Sequence, residues 1–192
     1  MRVLLYLLLI LILNTSAFAA GDFQDLKFGT TYEDVKKDLL TKYEEGSIGF
    51  TDDQKYIWIN GYELGDREFD IALLFDNSQN FYAFRISSPK YPANYFEFNV
   101  TDDCKYLSTV FKNKYGKPSK SRKPNFFTAS SGYVALMNTW SSKSYEIYTG
   151  ITSYEAEYYA TAYVASKKMS AAFEKFREKE KRESSRRASG QF

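Results

Sequence analysis

A reaction centre needs a nucleophile, a base or a metal cradle, and this sequence offers few of them. The chain contains no His, which removes Ser-His-Asp and Cys-His nucleophile pairs and the commonest zinc ligand sets. Cys104 is the single thiol. It falls on the apolar stripe of a predicted helix, where a buried structural sulfur is expected, because a reactive thiolate needs an electropositive, partly exposed setting. An intermolecular disulfide through it stays open. Ser87-Ser88-Pro89-Lys90 has the Ser-x-x-Lys spacing of penicillin-binding enzymes, but Pro89 forbids the helix that would bring the two side chains together. Asp76 to Asn80 opens like a calcium loop, yet Phe81 stands where the loop needs Gly and no Glu follows at the twelfth position. A turn is expected there. Glu155 and Glu157, two apart on a predicted strand, would share a face as paired catalytic carboxylates do; a solvated strand start is the plainer reading. The ten glycines form neither GxGxxG nor GxxxxGK[ST], so nucleotide cradles have no support. The expectation is a non-enzymatic chain with no cofactor and no metal site.

The remaining chemistry is aromatic and basic. Tyr and Phe number 17 and 16, more than one core requires. In the run 154–166, Tyr158, Ala160, Ala162 and Val164 share one parity, and their small members suit the close approach of a helix. Tyr159, Thr161 and Tyr163 share the other, and Tyr148 with Glu146 continues that mixed face one strand away. Tyr gives large contact area at low entropic cost and is enriched where proteins meet. Tyr148, Tyr159 and Tyr163 are therefore the predicted partner-binding residues. The same rows also suit plain cross-strand packing, worth roughly 0.2–1 kcal/mol per pair. A second expectation uses charge: Lys117, Lys120, Arg122 and Lys123 in one loop, with Arg186 and Arg187 in the tail, would hold an anionic lipid or polymer surface. A solvated loop and a frayed helix explain the same residues.

The elements that must position these side chains follow from periodicity. Residues 1–19 have the layout of a cleaved signal peptide, with Arg2 before the apolar run Val3–Leu13 and Ala17-Phe18-Ala19 at the cut. Eleven apolar residues fall short of the about 20 that cross a bilayer, and no Cys follows the cut to carry a lipid; a retained anchor, which Leu- and Ile-rich signals sometimes become, is the rival reading. With a single Cys, an oxidising compartment supplies no internal disulfide, so a domain over 20–168 must stand on its core. A periplasmic or secreted bacterial protein is expected. Without Arg2 the charges number 25 basic to 24 acidic, and the excess of cations in 174–187 leaves a slightly acidic body. That is a poor nucleic-acid binder.

Thr30 and Glu33 predict a capping box for a helix whose stripe is Tyr32, Val35, Leu39 and Tyr43, stopped by Gly46. Strands are predicted at 55–60, 69–75 and 81–87, the last two flanking the turn at Asp76–Asn80. Pro89 and Pro92 break the chain. A second helix runs from Thr101 with Cys104, Leu107, Val110, Phe111 and Tyr115 on one face, and Gly116 and Pro118 stop it. Strands follow at 133–140, 144–151 and 154–166. A last helix near Ser170 buries Met169, Ala172, Phe173 and Phe176, and a basic tail completes 169–192. The chain thus reads as α+β, with helix-strand-strand-strand twice over 23–88 and 99–166.

Phe28-Gly29-Thr30 leading into Glu33 and Val35, hairpin strands around DNSQNFYAF, and a helix ending Lys114-Tyr115-Gly116-Lys117-Pro118 resemble secreted bacterial proteins with tandem helix-plus-sheet units. That group is similar to the β-lactamase-inhibitor-protein fold and the small lipoprotein of the outer-membrane barrel-assembly machinery. The resemblance implies an antiparallel sheet with both helices on one face and a protein partner, in the envelope or outside the cell, on the other. Membrane contact would be peripheral at most, through the tail.

Overall fold

The computed structural model describes residues 23–124, 126–129, 133–175 and 178–179. The predicted signal peptide, Phe176, Arg186 and Arg187 lie outside them. The centre is a nine-stranded antiparallel sheet. Its strands are β1 (Ile48–Phe50), β2 (Tyr56–Leu64), β3 (Arg67–Phe75), β4 (Phe81–Ser87), β5 (Tyr91–Pro92), β6 (Lys120–Ser121), β7 (Ala135–Ser141), β8 (Tyr145–Tyr154) and β9 (Glu157–Ser166). Their order is β1-β2-β3-β4-β9-β8-β7-β6, with β5 also pairing β9. The last strand of each predicted half meets the other at the middle, Phe84 opposite Val164 and Ile86 opposite Ala162.

One face of this sheet is the core. Ile57, Ile59, Ile71, Leu73, Phe84, Ile86, Val164, Ala162, Ile147 and Trp140 align across the strands on it. Helix α1 (Tyr32–Lys42) buries Tyr32, Val35 and Leu39 there, and the Tyr32 ring meets Phe75 edge-on at 4.9 Å. Val35 and Leu39 are fully buried, worth roughly 1.5–3 kcal/mol each against exposure. Helix α2 (Thr101–Tyr115) lies over β7, β8 and β9. Ala160 and Ala162 are small enough to admit it, and Ser108 hydrogen-bonds Thr149 at 2.7 Å beneath it. Both helices belong to one apolar cluster.

Several boundaries differ from those predicted. The cap of α1 is Thr31, whose hydroxyl accepts from Asp34 N–H at 3.3 Å; Thr30 instead donates to Lys27 O. The helix ends at Lys42, and Gly46 sits in a separate 3-10 turn, Glu45–Ser47. After Pro92 the chain coils as a 3-10 turn (Ala93–Tyr95) and a π-turn (Phe96–Val100) that runs directly into α2. Thr101 is therefore inside helical backbone and donates to Phe96 O at 2.9 Å. Glu155 lies in the β8–β9 turn with φ +52°, and Glu157 begins β9. The two do not share a strand face. The third helix, α3, begins at 167. Its Met169 and Phe173 pack against Tyr82, Ala83 and Ala165, which puts α3 on the sheet face opposite α1 and α2, at one end. Ala172 points to solvent.

Candidate functional site

The face away from α1 and α2 carries a row that crosses the sheet: Trp58, Ala72, Arg85, Tyr163, Tyr148, Thr139 and Lys120 are successive register partners. Tyr148 and Tyr163 stack at 5.1 Å with 27° between ring planes. Each covers the other, both are half-buried, and Tyr163 also packs at the margin of α3. Burial pushes the Tyr148 hydroxyl up to about 12, with Glu146 adding to the shift and Arg85 opposing it. The Tyr163 hydroxyl is raised by the same dominant cause. Both rings thus stay neutral at any physiological pH.

Tyr159 lies further along β9 and faces a cleft of about 630 Å³ with Trp58, Asp70, Arg85, Lys90 and Tyr154 on its sides. The cleft exists because of residue size. Ala72 sits between Trp58 and Arg85 in the row, and Ser87 sits beside Asp70 in the next, so two large flanks stand over small residues. Local turns then fix the polar groups. Gly61, at φ +64°, allows the bulge in β2, and its N–H donates to Asp70 Oδ1 at 3.2 Å. Ser88 Oγ donates to Pro89 O and accepts from Ala160 N–H, which holds Lys90 with its ammonium 4.8 Å above the Tyr154 ring. Arg85 is exposed and has neither hydrogen bond nor ion pair among the described residues. Trp58 is half-buried and stacks on Tyr56 at 5.6 Å.

The predicted cationic residues divide. β6 sets Lys120 opposite Thr139, placing it on this same face beyond Tyr148. Arg122 and Lys123 line a separate hollow with Tyr133 and Leu136. Lys117 is exposed beside Trp140 and Tyr115 at the end of α2.

The chemical motifs weighed in the sequence resolve into structure. Cys104 is fully buried, its sulfur 3.7 Å from that of Met137, and burial raises the thiol to about 12. Asp76 closes the β3–β4 turn by accepting from the N–H groups of Ser78 and Asn80. Sequence reasoning passed over Trp58 and Arg85. A signal was present: Arg85 is the lone charge in β4, on the opposite parity to Phe84 and Ile86, and Trp58 alternates with buried Ile57 and Ile59.

The fold is thus an α+β antiparallel sheet with two helices on one face and a third across one end of the other. No family model, curated protein or solved structure matches the chain.

Proposed function

We propose that the protein is a non-catalytic binding module, secreted or periplasmic, which engages a protein partner with the sheet face opposite α1 and α2. The observation that carries this reading is the cleft. Aromatic walls at Trp58, Tyr154 and Tyr159 stand beside a guanidinium that has no hydrogen bond or ion pair among the described residues, on a face where the described part of α3 packs at one end. Aromatic and Arg side chains are the usual anchors of protein contacts. Tyr148 and Tyr163 cover each other beside the cleft, and Tyr159 makes contact. A photo-cross-linking residue at Tyr159, introduced in intact cells, should yield a discrete adduct that the same residue at Lys37, on the outer face of α1, does not. Equal labelling at both positions overturns the reading.

A second reading, contact with an anionic lipid or polymer surface, has its own support. Phe127 and Tyr133 are 90% and 74% exposed, close in sequence to Arg122 and Lys123. It predicts co-sedimentation with anionic vesicles at low salt, lost at high salt and lost in a Phe127→Ser variant. Vesicle binding unchanged in that variant removes it.

A further inference from the structure

Resting on the protein-partner reading above, we infer that the cleft receives a carboxylate side chain from an extended, acidic and aromatic segment of the partner, with Arg85 as its counter-charge. Three features point to that chemistry.

First, the charges are unbalanced. Arg85 and Lys90 face the cleft against one carboxylate, Asp70, and one Asp70 oxygen already accepts the Gly61 N–H. The guanidinium is the group left without a partner among the described residues. Its planar fork matches a carboxylate with two parallel hydrogen bonds.

Second, the setting admits such a pair. Arg85 is exposed beside the stacked Tyr163 and Tyr148 rings, so its planar fork is reachable from solvent and a bidentate pair gains from its geometry. The two Tyr hydroxyls stay un-ionised and add no counter-charge to the guanidinium.

Third, the shape is that of a trough. Trp58 and Arg85 lie two strands apart, about 10 Å, with Ala72 between them. The small Ala72 between these two walls leaves a groove that runs along the strands and suits an extended chain. Residues flanking the carboxylate would then meet Trp58 on one side and Tyr159 or Tyr154 on the other, which favours aromatic neighbours.

The test uses the full chain carrying Trp140→Phe, so that Trp58 is the only indole. A Glu/Tyr random copolymer is titrated while Trp58 emission is followed, in parallel with polylysine, a sulfated polysaccharide and anionic vesicles. The copolymer should bind best, with an affinity that falls as salt rises. Arg85→Gln should weaken it at least tenfold, Arg85→Lys should recover only part, and Arg122→Gln/Lys123→Gln should leave it unchanged. Urea midpoints confirm that each variant is folded. Binding undiminished in Arg85→Gln, no binding by the copolymer, or a preference for the polysaccharide or vesicles overturns the inference. The cross-link at Tyr159 separates the levels: an adduct that persists in Arg85→Gln retires the carboxylate while the protein partner stands, and no adduct retires both.

Discussion

At Gly65 the backbone turns with φ +69°, and a Cβ there would collide with the Tyr106 hydroxyl. Tyr106 has no freedom to retreat. Its hydroxyl donates to Leu64 O at 2.6 Å, its ring stacks on Phe69, and the Arg67 guanidinium lies 4.5 Å from its centroid. Gly65→Ala should therefore lose about 2–3 kcal/mol in urea denaturation, the sum of left-handed strain and a steric shift. With Tyr106→Phe as background the collision is gone, and the added cost of Gly65→Ala should fall to about 1 kcal/mol, the backbone share alone. Equal penalties in the two backgrounds refute the contact. Titration gives a second prediction at this scale. The folded values of Cys104 and Tyr148, each about 12, stand above ordinary values of 9.0 and 10.0. Raised acids favour the native state while protonated. Their contribution is complete below pH 9 and disappears as pH climbs toward 12. With no His in the chain, the urea midpoint should be nearly flat from about pH 6 to 8.5 and drop steadily above that. Cys104 should react with a thiol reagent only as fast as the protein unfolds.

At the scale of elements, the start of α2 is tied to the start of β3. Arg67 Nη1 meets Asp103 Oδ1 at 2.9 Å and Nη2 meets Asp102 Oδ2 at 2.8 Å. Asp103 is the buried partner, with 12% of its side chain exposed. Arg67→Ala should cost about 1–3 kcal/mol, since it strands a carboxylate away from water. Adding Asp103→Asn should recover part of that loss; strictly additive losses would show that the pair is not coupled. The same elements show what the sequence held. The stripes of α1 and α2, the turn at Asp76 and the parity of β8 and β9 were legible, because each depends on near neighbours. The cap of α1 was not. Thr30 with Glu33 and Thr31 with Asp34 are equally good locally, and the choice falls to pairing with a distant strand: Tyr32 N–H to Gln79 O and Phe81 N–H to Thr30 O. The coiling of 93–100 was hidden for a related reason, since Phe96 is held by Phe126 and Tyr158. The tyrosine face was visible as alternation, while the cleft within it depends on Ala72 lying between Trp58 and Arg85, a register that one strand alone does not reveal.

For the whole molecule, one sheet and one apolar cluster run through both predicted halves. The two tryptophans report on them separately, Trp58 from β2 and Trp140 from β7. Variants keeping only one of the two should give coincident urea transitions followed by fluorescence, as a single cooperative unit requires. Separated midpoints would mean that the halves unfold independently.

The meeting of β4 with β9 carries a practical corollary. A fragment cut just before α2 would leave β4 with a bare row of amides and carbonyls from Ala83 to Ser87, and the complementary piece would leave β9 bare from Thr161 to Ala165. Edges of that kind recruit whatever strand is nearest. Expressed singly, either piece should clump; expressed together, they should zip along their shared border and rebuild the intact molecule, which suits the chain to use as a two-piece reporter.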